Sequence, residues 1–197
     1  MPTFILLAHR ASTAPAFSLD DLPGSGGRMD IVCRVVTSAL LHSHGVRSDV
    51  EVIALLQGPP GAPVAVRFDG AKVRRLNPDE RSTAALVRRA LATPRTGPVW
   101  REASPGVSVA DATLADLLDT LATRPLVLLD EGGDDARAAP PPADAVYVIG
   151  DDQGFTPEED AEVRGRGARA VSLGPRSLQA DQAVVVLLNE LDRAGAR

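Results

Sequence analysis

The apolar positions of the chain fall into short runs separated by glycine, proline and charge. Residues 3–9 read TFILLAH, a continuous apolar run of strand length, which predicts a strand buried on both faces. Met29, Cys33, Val36, Leu40 and Leu41 then recur at helical spacing and predict a helix over about 28–43, closed by Gly45. Residues 50–56 and 64–68 are strand-like and are joined by QGPPGAP, whose prolines cannot donate to a sheet ladder, so the two strands are expected to be neighbours. Asn77, Pro78 and Glu80 stand in the order of an N-cap, a first-turn proline and a capping glutamate; they predict a helix through about Ala92. The stretch TPRTGPVWREASPG reads as an irregular connection.

The second half alternates more regularly. Thr113 with Asp116 opens a helix to about Ala122, followed by the strand PLVLLDE, a long surface loop EGGDDARAAPPPAD and the strand AVYVIGD. Thr156, Pro157 and Glu159 repeat the capping order for a helix near 157–166. The strand RAVSL, the loop GPRSLQAD and a helix over 183–191 complete the chain. Strands separated by helices imply a mainly parallel sheet with helices on both faces, so the fold class is α/β.

Composition narrows the function. With 197 residues of which 44% are hydrophobic, the chain can bury a real core, and residues 1–197 are read as a single domain. Aromatics are only 3%, so any nucleic-acid contact must rest on charge and backbone groups more than on stacked rings. A lone Cys33 excludes an internal disulfide and points to the cytoplasm. The segment MPTFILLAHR lacks the pattern of a signal peptide, and no apolar run approaches the length of a membrane span, so no membrane partner is expected.

The net charge of −5 conceals an asymmetry: residues 1–100 hold twelve Lys and Arg against eight Asp and Glu, and the rest hold nine against eighteen. Arg67, Lys72, Arg74, Arg75, Arg81, Arg88, Arg89 and Arg95 concentrate the excess, a pattern open to polyanion binding or to codon bias, since twenty of the twenty-one bases are arginine.

Three strands of the second half end in LLDEGG, VIGDDQG and SLGPRSLQAD. The carboxyl ends of parallel strands form the ligand crevice of open α/β sheets, so these turns are expected at one site, with glycine allowing close backbone approach. They could equally be ordinary strand-to-helix turns. No GxGxxG follows the first strand and no GxxxxGK[ST] occurs, against a standard dinucleotide site and a phosphate-binding loop. No metal site is expected: His9, His42 and His44 are the only histidines, the last two pointing to different faces of a helix, and Cys33 has no partner at ligand spacing and reads as a core packer. In PGSGGRMDIVCR a glycine-rich turn enters a helix whose first turn holds Arg28 and Asp30, with Arg34 one turn on. Arg28 could hold a phosphate and Asp30 a base edge; alternatively Asp30 only complements the helix dipole.

The segments PGSGGRMDIVCRVV, LNPDERSTAALVRRAL, SPGVSV, VYVIGDDQGF and SLGPRSLQADQAV, in this order, resemble the archaeal tRNA pseudouridine-54 N1-methyltransferase family and its bacterial relatives, within the SPOUT or α/β-knot superfamily. The similarity covers nearly the whole chain. It implies a homodimer with a carboxyl-terminal trefoil knot that binds S-adenosylmethionine and acts on RNA, most specifically on N1 of pseudouridine in the T-arm loop of tRNA. By motif, the cofactor pocket would use Leu129, Gly150, Leu173, Leu178 and Ala183. RMDI resembles RPDI of the ribosomal small-subunit pseudouridine N1-methyltransferases, which assigns Arg28 and Asp30 to the target nucleotide: Asp30 accepting a hydrogen bond from N1–H or taking its proton, Arg28 stabilising charge on the ring. Arg34, Arg74, Arg75 and Arg81 are candidates for the RNA backbone. The chain departs from the family where it carries Gln179, Ala180, Asp181 and Gln182 in place of a histidine-bearing stretch, and Val35 in place of a second cysteine. Methylation of another RNA base, or RNA binding without catalysis, are the alternatives.

Overall fold

Strand β1 (Thr3–Ala8) is buried along its whole length, as its unbroken apolar run requires. In this computed structural model, which describes residues 1–61 and 63–195, it lies inside an eight-stranded sheet. After it come α1 (Met29–Leu40), the short strands β2 (Leu41–His42) and β3 (Gly45–Val46), β4 (Glu51–Leu56), β5 (Val64–Asp69) and α2 (Glu80–Leu91). The second half holds β6 (Arg101–Ser104), β7 (Val107–Ala110), α3 (Leu114–Thr120), β8 (Leu126–Asp135), β9 (Val146–Gly150), α4 (Pro157–Gly165), β10 (Arg169–Ser172) and α5 (Ala180–Gly195). The sheet order is β10-β8-β9-β1-β4-β5-β7-β6. Neighbours from β10 to β4 are parallel, and those from β4 to β6 are antiparallel.

Alternation along the strands splits the core into two layers. Phe4 and Leu6 of β1, Val52 and Ala54 of β4, and Tyr147 and Ile149 of β9 pack with the apolar faces of α1, α2 and α5. Ile5, Leu7, Ile53 and Val148 face the other way, with Leu117 of α3 and Val163 of α4. Helices therefore cover both faces. Each fully buried Leu, Ile or Phe stabilises by about 1.5–3 kcal/mol, so the central strands supply much of the driving force. Phe4 and Tyr147 stack with centroids 5.5 Å apart, and the Tyr147 hydroxyl donates to the Pro142 carbonyl at 2.6 Å, which satisfies its polar tip.

Several boundaries differ from the sequence expectation. Helix α1 stops at Leu40, whose successor is extended, and the chain turns into β2 and β3; His42 thus sits in a strand and not on a helix. Helix α2 is capped by Asp79, which accepts from the Ser82 amide at 2.7 Å, so Asn77 and Pro78 lie before the cap. Asp and Asn are comparable caps, and the charged one also complements the helix dipole. The stretch read as irregular contains β6, which pairs with β7 across a turn at Gly106. A short, polar edge strand carries little periodic signal. Arg67 stacks over Trp100 at 4.5 Å beside it. The loop expected after residue 131 begins later, because β8 resumes through Asp135, and α5 starts at Ala180, inside the segment read as a loop. The capping boxes at Thr113 with Asp116 and Thr156 with Glu159 are present as expected.

Candidate active site

Because β8, β9 and β10 run in the same direction, their carboxyl ends meet at one edge of the sheet, and a cleft of about 940 Å³ opens there. Its walls are the three turns. At β8 the register with β10 jumps: Leu128 pairs with Ala170, but Val171 pairs with Asp134, so residues 129–133 bulge out of the ladder and bring Leu129, Asp130 and Glu131 to the cleft. Gly133 permits the return, since a Cβ there would lie 2.4 Å from the Val171 nitrogen. At β9 a Cβ on Gly150 would lie 2.3 Å from the Gly154 carbonyl oxygen. Glycine is thus required here by the chain's own tight turn, and not only by an approaching ligand.

Another wall of the cleft comes from the entry to α1. Arg28 caps that helix in a left-handed conformation (φ 68°, ψ 31°), which costs a non-glycine residue about 1 kcal/mol and aims its side chain out of the helix. Its Nε and Nη2 donate to the two oxygens of Asp30 at 3.1 and 3.2 Å, and its Nη1 donates to Asp152 at 3.0 Å. Arg34 donates to Asp30 at 2.8 Å and to Glu80 at 3.4 Å, and lies 3.7 Å from Asp181. Asp30 is buried between the two guanidiniums. Burial alone would raise its pKa, but Arg28 and Arg34 outweigh that and hold it below the usual carboxylate range. It is a firm hydrogen-bond acceptor and a weak base.

His9, just past β1 and outside the cleft lining, meets the turn after β9. Its backbone N–H donates to Asp151 at 2.8 Å, Nδ1 lies 2.9 Å from Asp151 and Nε2 lies 2.9 Å from Glu159. Gln57, just past β4, donates to the other oxygen of Glu159 at 2.9 Å. Arg10 pairs with Asp152 alongside.

All five residues expected at the cofactor pocket, Leu129, Gly150, Leu173, Leu178 and Ala183, line this one cleft, as do Arg28 and Arg34. Asp30 lies beneath the lining. Arg74, Arg75 and Arg81 do not line it; they are exposed on the approach to α2 and its first turn, Arg81 paired with Asp20 at 2.6 Å. Cys33 is buried on α1 and its thiol pKa is pushed up by that burial, so it packs and does not react. Sequence reading missed Arg10, Asp152 and the His9 cluster, whose partners lie more than 140 positions away. The paired acids after the glycine of VIGDD were the one available signal.

A family model described as "Putative SAM-dependent RNA methyltransferase" matches residues 1–196. The chain belongs to this family. Among relatives, a tRNA (pseudouridine(54)-N(1))-methyltransferase of Methanocella arvoryzae is 44% identical over 193 residues, 98% of this chain and 100% of that protein. A protein of the same name from Methanopyrus kandleri is 47% identical over 194 residues, covering 98% and 93%. Among solved structures, Archaeoglobus fulgidus Nep1 bound to S-adenosylhomocysteine superposes with a TM-score of 0.64 at 16% identity, over 100% of this chain and 99% of that one. The expected α/β arrangement, a mainly parallel sheet with helices on both faces, therefore holds. No helix among the described residues is long and apolar enough to cross a membrane.

Proposed function

We propose that this protein transfers a methyl group from S-adenosylmethionine to N1 of pseudouridine at position 54 of tRNA. The observation that carries the reading is the convergence of the three carboxyl-end turns on one cleft that Arg28 and Arg34 also face, in a chain of an RNA methyltransferase family. The names of the relatives supply the base and the position. The cleft fits the cofactor: it is within the about 300–1,000 Å³ usual for such ligands, and Leu129, Ile149, Leu173 and Leu178 offer apolar walls beside open backbone.

When bound, the cofactor supplies an electrophilic methyl on a sulfonium. The residues of the chain would do the rest. Arg28, fixed by Asp30 and Asp152, presents its guanidinium where negative charge develops on the target ring as N1 loses its proton and gains the methyl. Asp30, ionised beneath the lining, orients the two arginines that face the nucleotide, and water removes the N1 proton. Orientation supplies most of the acceleration. Arg34 would meet the nucleotide beside the cleft, and Arg74, Arg75 and Arg81 the RNA backbone beyond it. A homodimer is part of this reading, supported by the exposed apolar Leu178 and Val185 near the start of α5, as are a single domain, the carboxyl-terminal knot and a cytoplasmic site of action. Mass spectrometry of tRNA nucleosides from cells with and without the gene tests the reaction: N1-methylpseudouridine should disappear with the gene. An unchanged level would exclude this substrate.

A further inference from the structure

The cluster around His9 has no part in the reaction as described, yet it joins three elements behind one wall of the cleft. The ring lies between Asp151, in the turn after β9, and Glu159, on α4, each 2.9 Å from one ring nitrogen. These are the charged groups that face it; from β4 only the neutral Gln57 amide enters the cluster, bound to Glu159. A neutral imidazole has one N–H and can donate to only one of two carboxylates, so this geometry suits the doubly protonated ring. The side chains of His9, Asp151 and Glu159 are 12%, 2% and 12% exposed, so water cannot easily replace either bond.

We infer that His9 is a positioning residue: as imidazolium it ties residues 150–155, which form the cofactor-side wall, to the ends of β1 and α4. This inference rests on the reading that the wall holds the cofactor. Burial acts to lower the pKa of His9, but Glu159 and Asp151 outweigh it and the net direction is upward. The proton is therefore held to higher pH than on a free histidine and is given up as the medium becomes more alkaline. Loss of the proton breaks one of the two bonds and frees the turn, so cofactor affinity falls as pH rises.

The test uses the full chain without RNA. Nuclear magnetic resonance follows the His9 ring, and calorimetry measures S-adenosylhomocysteine binding from about pH 6 to about pH 9, the range in which histidine titrates. In the wild type the Kd should rise about fivefold or more across this range, in step with the ring. Glu159→Gln keeps the capping arrangement, since glutamine serves at that helical position, but removes one charge; the inflection should move to lower pH. His9→Gln should bind weakly and without that inflection. A wild-type Kd that stays constant while the ring titrates, or an inflection unmoved in Glu159→Gln, overturns the positioning role. If the wild type takes up no S-adenosylhomocysteine at any pH while the ring titrates as described, the cofactor reading itself is overturned, and the role of His9 with it.

Discussion

Two ion clusters flank the cleft, and each inverts the other. At the entry to α1 one carboxylate, Asp30, is clasped by the two guanidiniums of Arg28 and Arg34; behind the turn after β9 one imidazole, His9, is clasped by the carboxylates of Asp151 and Glu159. Both immobilise a wall by burying a central charge between two opposite ones. They differ in what can undo them. Arginine stays protonated at every accessible pH and Asp30 is held ionised, so the first cluster is permanent under ordinary conditions. The second depends on a histidine proton that is given up as the medium becomes alkaline. The molecule thus carries one fixed and one titratable cluster beside the cleft, and in the proposed reading the first grips the acceptor and the second the donor.

The largest effect should come from breaking the fixed cluster. Asp30→Asn removes the central charge, so Arg28 and Arg34 lose their common anchor at the cleft. Methylation should fall roughly 100-fold, the usual cost of misplacing a reacting group by about an ångström, while the Kd for S-adenosylmethionine, measured by calorimetry, changes by less than about twofold. Should affinity collapse together with turnover, Asp30 belongs to the donor pocket or to folding, and the separation of the two walls is lost.

A smaller effect, on the other wall, is expected from Gly150→Ala. The new methyl would meet the Gly154 carbonyl at 2.3 Å, and backbone cannot retreat as a flexible side chain can. The turn must shift. Overpacking of this kind costs about 1–3 kcal/mol, and cofactor Kd should weaken by about tenfold, with tRNA affinity, read by filter binding, little changed. Equal losses for both ligands would mean that the two walls move as one body.

Much of this architecture was legible in the amino-acid order. The buried run of β1, the capping boxes at Thr113 and Thr156, and the three glycine-bearing or acidic strand ends followed from local rules, and parallel strands oblige those ends to share an edge. The bulge at residues 129–133 was not legible, because it depends on which residues of β10 lie opposite. Nor was the cap of α2, where Asn77 and Asp79 are near equals as capping residues. His9 shows the limit most clearly. Alone in its segment it looks like one more histidine without a ligand partner, because the carboxylates that give it meaning arrive just after β9 and on α4, far along the chain.

The smallest expected effect is on stability, and it separates the clusters by sign. Asp30 has a lowered pKa, so its contribution is present above its ordinary value of 3.8 and is lost only as pH falls through the folded value below that. His9 has a raised pKa; its contribution is complete below its ordinary value of 6.5 and is lost as pH rises through the higher folded value. Urea unfolding at about pH 6 and about pH 9 should therefore show the wild type losing about 1 kcal/mol more than His9→Gln, the usual net worth of a hydrogen bond. Asp30→Asn should lose as much as the wild type over the same interval, because its own limb lies in acid. An Asp30→Asn protein that failed to follow the wild type between those two pH values would show that the clusters are coupled through the Arg28 and Asp152 pair, and that the donor and acceptor walls are not independent.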